Sequence, residues 1–100
     1  MKRALHCVFS PLAESDLEEI GDYIARDNPH RALTFIRELR DRCAQIIDHP
    51  EAAPLRSELG VDLRQVPFGH YLIFYTVSAE AVRIERILHG ARQLQDLFDA

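Results

Sequence analysis

The sequence predicts an α+β domain of order β-α-α-β-β-β, with a helix hairpin packed on one face of a mainly antiparallel sheet. Three observations carry that prediction. Two helical stripes follow one another, each opened by a small polar residue and a proline. The run Tyr71–Val77 is apolar or aromatic at nearly every position, as a strand covered on both faces must be. Two adjoining amphipathic helices have apolar faces that a sheet must cover. The chain has 100 residues, the size of one domain, so residues 1–100 are read as a single unit. Such a chain buries roughly 65% of its extended surface, enough for one core without staples.

Residues 4–9 read as a first strand. Ser10-Pro11 then starts a helix: the serine caps it, and proline at the first helical position gives up an N–H that had no partner. Ala13, Leu17, Ile20 and Ile24 follow at spacings of 4, 3 and 4, one face of a helix ending near Asp27. Ala13 stands where a capping box would need Glu or Gln, so the box is absent. Asn28-Pro29 repeats the start signal, and Ala32, Ile36, Leu39, Cys43 and Ile46 form the second stripe. Arg37–Asp41 and Glu38–Arg42, four apart, are expected to pair on its outer side. His49-Pro50 ends it. With almost no connection between them, the helices fold back as an antiparallel pair.

Residues 50–62 read as a loop punctuated by Pro50, Pro54 and Gly60. Leu63–Val66 is a short strand, Pro67–His70 a turn, Tyr71–Val77 the central strand, and Val82–His89 the last. Gly90 breaks it, and a short helix is expected over Ala91–Phe98. There Leu94, Leu97 and Phe98 share a face that either docks on the sheet or meets a target. The pattern does not say which edge of the sheet the first strand joins.

Charge excludes some functions. The net charge is −4, which argues against a chain whose main work is gripping phosphate backbones. Pro11–Asn28 holds six acids and one arginine, so the remainder of the chain sums to +1. Eleven of the twelve basic residues are arginine, the side chain suited to bidentate contact with carboxylate or phosphate. No apolar run approaches the ~20 residues of a membrane span, and the start lacks a secretory core, so a cytoplasmic protein is expected. Two cysteines, Cys7 and Cys43, make no disulfide framework and fall in apolar patterns, as small core residues do.

Enzymatic constellations are missing. There is no GxGxxG, Walker loop, CxxC or His-Glu-x-x-His, and the five histidines have no metal-ligand spacing. One region stands out: Arg64, Arg83, Arg86, His89 and Arg92. Strict alternation along the last strand puts Arg83, Glu85 and His89 on one face, and Arg86 with Val82, Ile84 and Leu88 on the covered one. A covered arginine must be paired or reach an edge. It is either an internal ion pair, with an acid of the first helix, or part of a cationic site.

Five stretches taken together resemble the ParE branch of the RelE/ParE toxin superfamily. They are Ser10–Ala13 with Asp16–Ile20 and Tyr23–Ala25; Asp27–Pro29 with Ala32; Leu63-Arg64; Tyr71–Tyr75; and Ile84–Arg92. The resemblance implies a bacterial type II toxin that poisons DNA gyrase and so stalls replication. It implies neutralisation by a ParD-like antitoxin with a ribbon-helix-helix DNA-binding part and a C-terminal segment that wraps the toxin. No cofactor, metal, membrane or direct specific DNA contact is implied for this chain. Arg64, Arg83, Arg86, His89 and Arg92 become target-binding candidates. Leu12, Tyr23, Leu33 and Phe35, which lie off the main stripes, become antitoxin-binding candidates, with Phe35 the one that also fits the core.

Related RelE-like toxins are ribosome-dependent mRNA endonucleases, and that reading stays open as the alternative. RNA cleavage through a 2′-hydroxyl needs a base, an acid and cations at the phosphate. His89, Arg64, Arg86 and Arg92 are the residues that could imitate such a site. Against it stand the acidic balance, the single lysine, and the absence of a tyrosine after His89-Gly90-Ala91-Arg92. A third reading is a member that binds its antitoxin but harms nothing.

Overall fold

A computed structural model describes residues 5–90 and 92–95. The elements are β1 (His6–Phe9), α1 (Pro11–Ala25), α2 (Pro29–Gln45), a single 3-10 turn (Ile46–Asp48), β2 (Arg64–Phe68), β3 (Tyr71–Val77) and β4 (Ala81–His89). Both helix starts use the expected caps. Ser10 Oγ accepts from the Ala13 N–H at 3.0 Å, and Asn28 Oδ1 accepts from the Arg31 N–H at 3.0 Å. The sheet order is β1-β4-β3-β2. β1 lies parallel to β4 at one edge, and the other pairs are antiparallel. The edge taken by the first strand is thereby fixed: α1 and α2 carry the chain over the sheet before the meander returns to meet β1.

The hairpin covers one face. Ala13, Leu17 and Ile20 of α1 and Leu39 and Cys43 of α2 pack with Val66, Ile73, Tyr75, Val82, Ile84 and Ile87 of the sheet. A fully buried residue of this size stabilises by roughly 1.5–3 kcal/mol. Cys43 is buried and Cys7 half-buried, with the Cys7 thiol directed at the Cys43 carbonyl at 3.7 Å. Burial first, then the neighbouring Cys7, pushes the Cys43 thiol up to about 12, so it stays protonated and serves as packing. The far face carries a smaller cluster, Leu63, Phe74 and Leu88, with Leu72 and Leu94 against it.

Four expectations are corrected. First, β2 runs on to Phe68, so the turn shrinks to Gly69-His70, with Gly69 at φ 59°. β2 is an edge strand, where a proline such as Pro67 is tolerated. Second, alternation along β4 breaks. Tyr75 pairs with Ile84 and Phe74 with Arg86, which leaves Glu85 as an extra residue. Val82 and Ile84 face the helices, but beyond the bulge Ile87 takes that role and Leu88 joins Phe74 on the far side. His89 therefore lies on the hairpin side against Tyr71, on the other face from Arg83 and Glu85. Third, the expected pairs on α2 do not form. Arg31 reaches Glu38 two turns on, at 3.0 and 3.3 Å, and Arg40 bridges to Glu14 of α1. A long arginine finds a bidentate carboxylate where it can, and sequence spacing of four is only one way. Fourth, residues 92–95 form turns, with the Arg92 and Gln93 N–H groups donating to the His89 carbonyl. The remainder of the helix expected over Ala91–Phe98, with Leu97 and Phe98, lies outside the described residues. Leu94 is on the sheet.

No helix among the described residues is long and apolar enough to cross a membrane.

Candidate functional site

The bulge in β4 determines what reaches the site. Ser10 Oγ, besides capping α1, donates to the Glu85 carbonyl at 2.7 Å, so β1, α1 and the bulge are tied at one residue. Nearly two helical turns further, Asp16 is buried. It accepts from Arg86 Nε at 2.9 Å, from Arg86 Nη2 at 3.0 Å, and from the Ile87 N–H at 2.9 Å. Side-chain exposure is 14% for Arg86 and 6% for Asp16. The covered arginine is thus an internal ion pair with an acid of the first helix. It holds α1 to β4 and fixes where the end of β4 emerges.

Past that pair, the end of β4, the β2–β3 turn and the connected end of the helix hairpin border a cleft of about 600 Å³. α1 contributes Tyr23 and Ile24, and α2 contributes Arg31 and Phe35. The sheet end contributes Gly69, His70, Tyr71 and His89, and Arg92 closes the side. The walls are aromatic and interlocked. Phe35 meets Phe68 and Tyr71 at 5.6 and 5.8 Å between ring centroids. His89 sets its ring edge-on to Tyr71 at 5.4 Å and stacks on His70 at 6.1 Å. The Arg92 guanidinium lies 4.9 Å above the Tyr23 ring, and that of Arg31 lies 5.2 Å above Phe35.

The electrostatics follow from this packing. Burial lowers the His89 pKa below the ordinary imidazole value, and the nearby Arg92 and His70 lower it further. His89 Nδ1 is buried and has no hydrogen-bond partner among the described residues. Burial also raises the Tyr71 hydroxyl, against the pull of Arg92. No group of histidines, cysteines and carboxylates able to hold a metal occurs among the described residues.

The five cationic candidates do not converge. His89 and Arg92 meet in the cleft. Arg64 sits at the other end of β2, where its guanidinium donates to the carbonyls of Glu51 and Ala53 at 3.1 and 2.6 Å and pins the loop. Arg83 pairs with Glu85 on the opposite face of the sheet at 3.3 Å. Arg86 is consumed by Asp16. The four apolar candidates also divide. Tyr23 and Phe35 line the cleft beside His89. Leu33, 70% exposed, lines a groove of about 410 Å³ between α1 and α2 with Leu17, Ala32 and Ile36. Leu12 is half exposed on the first turn of α1. His70, Tyr71 and Arg31 are cleft residues that the pattern did not single out. The tight Gly69-His70 turn ahead of the strongest strand was the available signal.

Residues 7–94 match the family model for the ParE toxin of the type II toxin-antitoxin system, parDE. The chain belongs to the ParE toxin family. Among solved structures it is similar to the chromosomal ParDE toxin–antitoxin system from P. aeruginosa. The TM-score is 0.74 at 17% identity, over 86% of this chain and 96% of that one. At that identity the similarity is one of fold: two helices on a four-stranded mixed sheet. A comparison with curated proteins finds no match. Nearly the whole described ParE domain, from β1 to the cleft residue Arg92, falls within the matched span.

Proposed function

We propose that this ParE-family chain is a non-catalytic toxin that poisons DNA gyrase and is neutralised by a ParD-like antitoxin. The observation that carries the reading is the family match over residues 7–94, from β1 to beyond β4. The geometry supports the non-catalytic form. A phosphoryl-transfer site needs its base, acid and cations within reach of one phosphate. Arg64 and Arg86 are spent on the loop carbonyls and on Asp16, so two of the four groups of the nuclease alternative are elsewhere. A poison needs a shaped surface that binds one state of its target better than another, and no cofactor.

The test uses the purified protein, the gyrase of its own host, ATP and supercoiled plasmid. After detergent and protease treatment, linear plasmid that depends on both proteins is the expected result. Its absence, with protein that arrests growth on induction, overturns the reading. Protein that leaves growth untouched on induction points instead to a harmless antitoxin-binding member.

One observation favours the nuclease as second reading. His89 is held toward its neutral form, with a buried Nδ1 that has no hydrogen-bond partner among the described residues, beside Arg92 and His70. A neutral imidazole next to cations can act as a general base. Ribosome-dependent cleavage of mRNA that is lost in His89→Ala would establish it.

A further inference from the structure

The cationic candidates leave the contact surface for the target open, since Arg64 and Arg86 are spent inside the molecule and Arg83 lies apart from His89 and Arg92. Another segment stands out. Residues 49–63, between the 3-10 turn and β2, form no helix or strand of their own. Connections beyond about 12 residues are uncommon in a compact domain, and ordered ones are usually functional. This one is held from inside along its length. The Tyr75 hydroxyl donates to the Pro50 carbonyl at 2.7 Å, and Arg64 donates to the carbonyls of Glu51 and Ala53. The Arg56 N–H donates to the Leu63 carbonyl at 2.7 Å, and its guanidinium donates to Glu58 and Gln65. Leu63 is buried with Phe74 and Leu88, and Leu59 packs against them. The turn closes tightly on that anchor: a Cβ on Gly60 would lie 3.3 Å from the Leu63 side chain.

Two apolar side chains stay outside. Val61 is 87% exposed, and Leu55 is 48% exposed. Beside Val61, Asp62 has φ 55°, the one positive value at a non-glycine position among the described residues. Holding an exposed valine next to a left-handed aspartate gains the free chain nothing at these two positions. We infer that the tip of this loop, Val61 with Leu55 and the carboxylates of Glu51 and Asp62, is a contact surface for the gyrase target, and seats in an apolar pocket with basic residues on its rim. The inference rests on the gyrase reading above and deepens it. Charge commits the partner. The loop carries three carboxylates, Glu51, Glu58 and Asp62, against one arginine, and Arg56 is paired with Glu58. Glu51 and Asp62 form no ion pair among the described residues. That balance repels a phosphate backbone and suits a protein surface of opposite sign. None of residues 49–63 lines the cleft at His89 or the groove between α1 and α2, so the loop can be altered without changing the lining of either.

The experiment titrates the full chain into the gyrase, ATP and supercoiled plasmid assay for wild type, Val61→Asp, Asp62→Asn and Leu12→Asp. Asparagine removes the charge and tolerates the left-handed backbone. Leu12→Asp makes the Val61→Asp type of change at an exposed position on α1. Melting curves establish that each variant is folded, and binding to the antitoxin encoded beside the chain is measured in parallel. Half-maximal linear plasmid is expected to need at least tenfold more Val61→Asp than wild type, several-fold more Asp62→Asn, and less than twofold more Leu12→Asp. Antitoxin binding by Val61→Asp and Asp62→Asn is expected to stay within twofold of wild type. Linear plasmid from wild type, with Val61→Asp and Asp62→Asn both within twofold of it, overturns the loop surface and leaves the gyrase reading intact. No linear plasmid from wild type overturns the gyrase reading and the inference with it. Antitoxin binding that weakens tenfold in Val61→Asp shows that the antitoxin occupies the loop, and overturns the inference. Binding of wild type to plasmid without gyrase, lost in Val61→Asp, shows a nucleic-acid partner and overturns it as well.

Discussion

Asp16 and Arg86 show how a single pair can be structural although its residue types suggest function. The carboxylate is buried, accepts three hydrogen bonds, and neutralises an arginine that has little water of its own. Removing one partner leaves the other charged and uncompensated, which typically costs about 3–5 kcal/mol. Asp16→Ala and Arg86→Ala are each expected to lower the melting temperature by roughly 15–30 °C, on a slope of about 4–8 °C per kcal/mol for a domain of this size. A double replacement by leucine and methionine is expected to recover most of the loss, since an apolar pair leaves no buried charge. A folded, fully stable Arg86→Ala protein contradicts this account. His89 gives a pH signature. Its pKa is lowered in the folded state, so the unfolded chain binds more protons just below the ordinary value of about 6.5. Stability is full above that value and falls as the pH drops from it toward the folded pKa. Thermal unfolding from pH 7.5 to 5.5 is expected to show that decline, and His89→Gln, which does not titrate, is expected to flatten it.

At the scale of elements, helices and strands were legible because their signals are local. Ser10-Pro11 and Asn28-Pro29 open both helices where the pattern places them. Tyr71–Val77 lies between two neighbours in the sheet. The bulge at Glu85 was not legible. An extra residue in a strand carries no composition of its own, and strict alternation therefore put His89 on the wrong face. The same error hid the cleft, which exists only because β4 turns His89 toward Tyr71. Arg86 was recognised as a covered arginine, but its partner 70 residues away is a tertiary fact. The junction that sets the bulge is Ser10, which serves α1 and β4 at once. Losing an N-cap costs about 0.5–2 kcal/mol, and here the Glu85 carbonyl loses its donor too. Ser10→Ala is expected at or just above the top of that range, read as a lower urea midpoint with an unchanged slope. Ser10→Thr, which keeps the hydroxyl, is expected to retain most of the stability.

The molecule as a whole has an acidic first helix, an aromatic cationic cleft at the connected end of the hairpin, and apolar side chains left in solvent. Leu33 is 70% exposed, and Leu12 and Tyr23 about half. Isolated exposed leucines are ordinary on a monomer, but Leu33 stands over the groove between α1 and α2, where Ile36 and Leu17 continue the apolar surface inward. If an antitoxin covers that groove, two consequences separate. Leu33→Asp alters a side chain that packs little in the free chain, so its stability alone is expected to change by less than about 0.5 kcal/mol. The same substitution places a charge against a covering apolar face, and binding is expected to weaken by roughly tenfold or more, the equivalent of about 1.4 kcal/mol. Binding to the folded state alone also raises stability by mass action. At a hundredfold excess of antitoxin over its Kd the gain is about 2.7 kcal/mol, or roughly 10–20 °C in a domain of this size. The two effects are read in one melting series: wild type and Leu33→Asp, each with and without antitoxin. Matching free chains, a large shift for wild type and a much smaller one for Leu33→Asp would place the antitoxin on the hairpin groove. Equal melting temperatures with and without antitoxin for the wild type would mean that these apolar residues are covered by nothing.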